Sequence, residues 1–98
     1  MTVRLSCIVP AYNEGARIGN VLRTLKQSPL IDEIIVVDDG STDDTRSKAE
    51  EHPGITLISH PTNLGKSRAV CSGVRASSGE FLLLMDADLI GLNTQSLL

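Results

Sequence analysis

Aromatic residues are nearly absent from this 98-residue chain, which contains one tyrosine, one phenylalanine and no tryptophan. Tyr12 and Phe81 alone cannot form the row of aromatic faces on which single-stranded nucleic acids stack. The net charge of −3 also lacks the basic excess that is typical of nucleic-acid-binding proteins. The sequence therefore argues against a nucleic-acid partner.

Long apolar runs and cysteines are scarce as well. No run approaches the roughly 20 residues that a membrane-spanning helix needs, and a strand-like segment close to Met1 leaves no room for a signal peptide. Cys7 and Cys71 both lie among apolar neighbours, so we expect two buried, unpaired thiols in a reducing compartment. These features predict a cytoplasmic protein, or a peripheral one at the cytoplasmic face of a membrane.

What the chain does contain is a regular alternation of strand-like and helix-like segments. Apolar runs predict buried strands, and apolar residues at helical spacing predict the helices between them. The predicted strands cover residues 3–10, 33–37, 55–59 and 80–85, and the predicted helices cover 14–27, 41–52 and 65–76. This order predicts an α/β fold with a Rossmann-like parallel sheet.

Two helix boundaries carry their own sequence signals. Ser41, followed three residues later by Asp44, predicts a capping box at the start of the second helix. A fourth helix could begin near Asn93 or Thr94, but only ten residues follow Asp88. The fourth strand therefore lacks the elements that would cover it, and we expect the fold to be truncated after that strand.

The segment FLLLMDAD, residues 81–88, carries the most chemical information. Its apolar run predicts a strand that is buried on both faces, and it ends at Asp86 and Asp88. Residues i and i+2 of an extended chain point to the same side, so both carboxylates can face one ligand. Because Mg²⁺ is held by one or two carboxylates together with substrate phosphates, we predict a site for Mg²⁺ or Mn²⁺ here.

Two other strand ends carry polar groups. Pro10 to Glu14 follow the first strand, and Asp38 and Asp39 follow the second. In open α/β sheets, ligands bind outside the carboxyl ends of the strands, so these segments predict a nucleotide site. Asp43 and Asp44 are better explained as acids that favour the N-terminus of the second helix.

Three segments in this order resemble the nucleotide-binding half of the family 2 glycosyltransferases. They are IVPAYNEGARI (8–18), IIVVDDGSTDDT (34–45) and NLGKSRAVCSGVRASSGEFLLLMDAD (63–88), and together they cover almost the whole chain. The resemblance implies a GT-A fold for residues 1–98, metal dependence, and transfer of a sugar from a UDP- or GDP-linked donor to an acceptor hydroxyl, with inversion. The acceptor itself, whether polysaccharide, lipid or small molecule, stays open.

The resemblance also implies roles for individual residues. Nucleotide-binding roles fall on Pro10, Ala11, Tyr12, Glu14, Val37, Asp38, Asp39, Lys66, Asp86 and Ala87, with a supporting role for Arg68. Metal-binding roles fall on Asp86 and Asp88. The family's general base belongs to the second half, which this chain lacks, so we expect the 98 residues alone to be inactive and, through an uncovered strand edge, prone to self-association.

Three other functions fit parts of the sequence. A receiver domain would use Asp38 and Asp39 to bind Mg²⁺ and Asp86 to accept a phosphoryl group, but residues 1–30 have no place in that fold. A P-loop NTPase would use HPTNLGKS (60–67), although His60 stands where the motif requires glycine. A non-catalytic nucleotide-binding module is the third alternative.

Overall fold

The computed structural model describes residues 4–87 and shows four strands and three helices in strict alternation. The elements are β1 (Leu5–Ala11), α1 (Gly15–Lys26), β2 (Glu33–Asp38), α2 (Thr45–Glu50), β3 (Thr56–Ser59), α3 (Lys66–Ala76) and β4 (Phe81–Leu84). Each predicted strand and helix within this range is present. The predicted start of a fourth helix lies outside the described residues.

The strands form one parallel sheet in the order β3-β2-β1-β4. β1 occupies an inner position, where it pairs with β2 on one side and with β4 on the other. The chain therefore moves outward from β1 to β3, then crosses back to place β4 on the opposite side of β1. The predicted Rossmann-like parallel sheet is confirmed.

Helices cover both faces of the sheet. Alternate residues of β1 and β2, including Cys7, Val9 and Val36, join the buried side chains of α1 and α2 in one large apolar cluster. On the other face, α3 packs against β1 and β2, and Ile35 and Val37 contact Ala69 there. Because both faces of β1 and β2 are buried, their sequences read as continuous apolar runs.

Two expectations about burial are wrong. β4 is not buried on both faces, since Phe81, Leu82 and Leu84 are exposed. β4 is an edge strand of the sheet that residues 4–87 form. Cys71 is also exposed, because it lies on a face of α3 that points away from the sheet, whereas Cys7 is buried in β1. Both thiols are free, as expected.

The predicted capping box is wrong as well. α2 begins at Thr45, and its N-cap residue Asp44 makes no side-chain capping hydrogen bond. The hydroxyl of Ser41 instead accepts a hydrogen bond from the backbone N–H of Asn13, 2.9 Å away. The serine thus links two loops rather than capping a helix.

Within residues 4–87, no helix has the length and apolar character needed to cross a membrane.

Candidate functional site

A cavity of about 390 Å³ opens at the carboxyl ends of the strands. Its walls come from the ends of β1, β2 and β4 and from the loop that leads into α3. The lining residues are Pro10, Ala11, Tyr12, Glu14, Asp39, Asn63, Gly65, Lys66, Ala69, Asp86 and Ala87. The structure thus brings together the predicted nucleotide-binding residues except Val37 and Asp38, and it leaves out Arg68, which was given a supporting role. A cavity of this size falls within the range of small-molecule sites.

Asn13 fixes the corner between β1 and α1. Its backbone lies in the left-handed region with φ of 52°, a conformation that asparagine tolerates better than most residues. Its Oδ1 accepts a hydrogen bond from the backbone N–H of Thr42 at 2.8 Å, while its own N–H donates to Ser41. These bonds join the loops after β1 and β2, and they hold Tyr12 and Glu14 at the cavity. The sequence interpretation included Asn13 in the segment from Pro10 to Glu14 but gave it no role of its own.

The beginnings of α1 and α2 are also tied to each other. The Asp43 carboxylate accepts hydrogen bonds from the backbone N–H groups of Gly15, at 3.0 Å, and of Thr45, at 2.9 Å. Desolvation would raise the pKa of Asp43, but these bonds and the one from the Thr45 hydroxyl outweigh it, so the pKa is lowered. Asp43 is therefore structural, as predicted, although it acts through specific hydrogen bonds.

Glu14 forms an ion pair with Arg17 at 2.7 Å.

Asp39 is the most constrained acid at the cavity. Its side chain is buried, and its carboxylate accepts hydrogen bonds from His60 Nδ1 at 2.8 Å, Leu64 N at 2.9 Å and Gly65 N at 3.0 Å. Burial by itself raises the pKa of a carboxyl group, but these three donors outweigh burial and hold the pKa of Asp39 below its ordinary value. Asp39 is thus a carboxylate at neutral pH, and it anchors the loop that precedes α3.

Val37 and Asp38 lie next to the cavity without lining it. Val37 is fully buried against α3. Asp38 is also buried, and its Oδ1 accepts a hydrogen bond from the backbone N–H of Ser41 at 3.2 Å. Successive residues of a strand point to opposite sides, which separates the side chain of Asp38 from that of Asp39, whereas Val37 is covered by α3. Their contacts with a nucleotide stay a prediction.

Asp86 and Lys66 meet on the far side of the cavity. The Lys66 ammonium donates a hydrogen bond to the Asp86 carboxylate, and both side chains are partly exposed. Asp88 lies outside the described residues. Arg68 is exposed on α3 and does not line the cavity.

The donor set bears on whether a divalent metal fits here. In the part of the chain that the structure describes, no three His, Cys, Asp or Glu side chains form a metal cluster. Asp86 offers one hard carboxylate oxygen beside a cavity with room for further oxygen ligands. Mg²⁺ is bound by one or two carboxylates plus substrate phosphates rather than by a full protein cage. The residues therefore fit a metal that binds together with a phosphorylated ligand.

The sheet order argues against the receiver interpretation. In the flavodoxin-like order of receiver domains, 2-1-3-4-5, the strands that would bear Asp39 and Asp86 lie side by side. Here β1 lies between β2 and β4. The P-loop interpretation also fails, because His60 is engaged with Asp39 and Ser72 instead of providing the flexible glycine of a phosphate loop.

An alternating parallel sheet with acids from two strand ends around one cavity defines an α/β protein of the nucleotide-binding type. Residues 6–91 match glycosyl transferase family 2. The chain belongs to this family, as its sequence motifs indicated.

Curated relatives share a third or more of the aligned residues. Dolichyl-phosphate beta-glucosyltransferase ALG5A of Trichomonas vaginalis is 38% identical over 100 residues, which is 89% of this chain and 31% of the relative. Glucosyl-3-phosphoglycerate synthase of Mycobacterium tuberculosis is 36% identical over 95 residues, which is 88% of this chain and 29% of the relative. The chain thus spans about three-tenths of the length of these relatives.

Solved structures confirm the GT-A fold. Glucosyl-3-phosphoglycerate synthase from M. tuberculosis, in complex with Mn²⁺, UDP and glucosyl-3-phosphoglycerate, superposes with a TM-score of 0.83 at 33% identity, covering 97% of this chain and 37% of that one. The mannosyltransferase PcManGT from Pyrobaculum calidifontis, in complex with GDP-Man and Mn²⁺, has a TM-score of 0.82 at 32% identity, covering 99% of this chain and 31% of that one.

Proposed function

We propose that this chain is the donor-binding part of a metal-dependent glycosyltransferase that uses a UDP- or GDP-linked sugar. The observation that carries the proposal is the convergence of Asp39, Lys66 and Asp86 on one cavity. Family membership supports the reaction class, and the two similar enzymes crystallised with Mn²⁺ and a UDP or GDP compound support the ligand class.

The nucleoside end of the ligand belongs beside β1 and β2. Pro10 and Ala11 form an apolar wall, and Tyr12 presents a half-exposed ring to the cavity. Asp39 is a hydrogen-bond acceptor that is already oriented before a ligand arrives. A base N–H or a ribose hydroxyl can therefore bind to it without any reorganisation of the carboxylate.

The diphosphate end belongs beside Lys66 and Asp86. The Lys66 ammonium forms an ion pair with Asp86 at this end of the cavity. Its charge would offset the negative charge that develops on the leaving nucleoside diphosphate. Asp86 would hold the metal from the strand end, and we propose Asp88 as its second carboxylate. The metal, when bound, supplies Lewis-acid stabilisation of the phosphate oxygens.

The general base is proposed to lie in a further part of the protein. The three acids that line the cavity within residues 4–87 are Glu14, Asp39 and Asp86, and each already holds a cation or hydrogen-bond donors. None is placed as an unengaged base for an acceptor hydroxyl. We therefore propose that residues 1–98 bind the donor but do not transfer its sugar. Inversion at the anomeric carbon and a cytoplasmic location belong to the same proposal.

Calorimetry with UDP and GDP, in Mn²⁺ and in EDTA, tests the binding step. We expect tighter binding with the metal, and equal affinity in both buffers would contradict the metal role. Transfer is then assayed with a panel of acceptors on residues 1–98 and on the longer protein. Turnover by the longer protein alone is the expected result. Turnover by residues 1–98 would overturn the placement of the base, and binding without turnover by the longer protein would favour the non-catalytic module.

A further inference from the structure

His60 links the cavity acid Asp39 to a helix that lies behind it. Its Nδ1 is 2.8 Å from Asp39 Oδ1, and its Nε2 is 2.8 Å from the hydroxyl of Ser72 on α3. The His60 side chain is only 10% exposed. Neither His60 nor Ser72 lines the cavity, so any effect of theirs on a ligand must pass through Asp39.

The Asp39 carboxylate determines where the protons lie in the series Asp39, His60 and Ser72. An ionised carboxylate can only accept hydrogen bonds, so Nδ1 of His60 must carry a proton. In the neutral imidazole, Nε2 is then an acceptor, and the Ser72 hydroxyl donates to it. A serine hydroxyl can donate or accept, so Asp39 selects the tautomer, and the bond between Ser72 and Nε2 holds the ring where Nδ1 reaches Asp39.

The three bonds to the Asp39 carboxylate leave part of its hydrogen-bond acceptor capacity unused. A carboxylate has about four acceptor positions. Oδ1 uses two of them, for His60 and for the backbone N–H of Leu64, and Oδ2 uses one, for the backbone N–H of Gly65. One position on Oδ2 therefore stays available to a ligand donor.

We propose that His60 and Ser72 are positioning residues that orient Asp39, so that one Oδ2 position of its carboxylate receives an N–H or O–H group of the bound nucleoside. This inference rests on the proposed function for the identity of the ligand. The same order of groups occurs in nucleophilic serine sites, but Ser72 lies in the middle of α3 and outside the cavity. Orientation of Asp39 is the role that the geometry supports.

The same bonds connect His60 to the loop that enters α3. Leu64 and Gly65 donate to the two oxygens of Asp39, and the Asn63 side chain donates to the Asp39 carbonyl at 3.2 Å. A rotation of the carboxylate would break the two backbone bonds together. Hydrogen exchange at the amides of Leu64 and Gly65 is therefore a measure of how well Asp39 is held, and it needs no ligand.

The first test is the tautomer of His60, measured from its imidazole ¹⁵N chemical shifts. We expect a protonated Nδ1 in the wild-type protein. A neutral ring protonated only at Nε2 would overturn the proposal. In Ser72→Ala, which removes the partner of Nε2, we expect a shifted Nε2 resonance and faster exchange at Leu64 and Gly65, whereas a purely space-filling role for Ser72 would leave both unchanged.

The second test is UDP and GDP affinity of the same variants in Mn²⁺. Ser72→Ala should weaken binding by about three- to tenfold, the effect of losing one hydrogen bond. His60→Ala should weaken it more than His60→Asn, which keeps an N–H donor near the position of Nδ1. The matched control is Ser77→Ala, which removes a hydroxyl that donates to the Val74 carbonyl at the other end of α3 and should change neither measurement.

The proposed function and the positioning role of His60 and Ser72 can fail separately. If the wild-type protein binds neither nucleotide, the proposed function is wrong, and the tautomer and amide exchange still decide whether His60 and Ser72 orient Asp39. If the wild type binds but Ser72→Ala has wild-type affinity and wild-type exchange, the positioning role is wrong. His60→Asn supplies the same readouts should Ser72→Ala fail to fold.

Discussion

Replacing Asp39 with asparagine should destabilise the protein, quite apart from any effect on ligands. The carboxylate accepts three hydrogen bonds, two at Oδ1 and one at Oδ2. An asparagine can place its carbonyl oxygen where Oδ1 accepts from His60 and Leu64. Its amide group then meets the N–H of Gly65, so two donors face each other in a buried place.

The magnitude follows from those contacts. A hydrogen bond to a charged group contributes about 1.5–3 kcal/mol, and a buried donor left without an acceptor costs about 1–3 kcal/mol. We therefore expect Asp39→Asn to lower the free energy of unfolding by about 2–4 kcal/mol at pH 7. Urea denaturation followed by circular dichroism measures it. Asp44→Asn is the matched control, because the exposed Asp44 makes no capping hydrogen bond; it should cost less than about 1 kcal/mol.

The difference in unfolding free energy between the wild type and Asp39→Asn should also depend on pH, with a definite sign. The pKa of Asp39 is lowered in the folded protein, so its stabilisation is present above the unfolded-state pKa of about 3.9 and is lost as pH falls through the folded-state pKa. The gap between wild type and Asp39→Asn should thus be constant near neutrality and shrink below about pH 4. A loss at pH 7 no greater than that of Asp44→Asn would refute this reasoning.

Three further substitutions test other parts of the structure. Asp86→Ala should reduce nucleotide affinity in Mn²⁺ to the value measured in EDTA, with an unchanged far-UV spectrum, and a persisting metal effect would contradict the role of Asp86. Gly40→Ala should lower the free energy of unfolding by more than about 2 kcal/mol, since φ is 71° and a Cβ would lie 2.2 Å from the backbone of the loop after β3. The control Gly54→Ala, with φ of 82° and open space around the Cβ position, should lower it by only about 1 kcal/mol. Equal losses in the two variants would refute the clash at Gly40. Gly73→Ala should cost about 1–3 kcal/mol through overpacking, because a Cβ would lie 2.5 Å from the Ile8 side chain; thermal melting checks it, and an unchanged melting temperature would mean that this contact is loose.

Local sequence pattern was sufficient for the order of elements and for most of the cavity. Buried parallel strands are continuously apolar, and the side chains that follow them lie at one edge whatever the strand order. Tyr12, Asp39 and Asp86 could therefore be assigned to one site from their positions after strands. The buried side chains of α1, which include Ile18 and Leu22, have the helical spacing that predicts such a helix.

Long-range contacts decided the rest. The pairing of His60 with Asp39 spans 21 residues and that of Asn13 with Thr42 spans 29, and no local periodicity encodes such a contact. Strand order decided burial in the same way, since FLLL reads as a strand buried on both faces, whereas β4 lies at an edge of the described sheet with Phe81 exposed. The sequence by itself determined which side chains reach the carboxyl edge of the sheet, because strand period and chain direction are local properties. Only the tertiary structure decided which of them touch, because hydrogen-bond partners depend on how separate loops fold against one another.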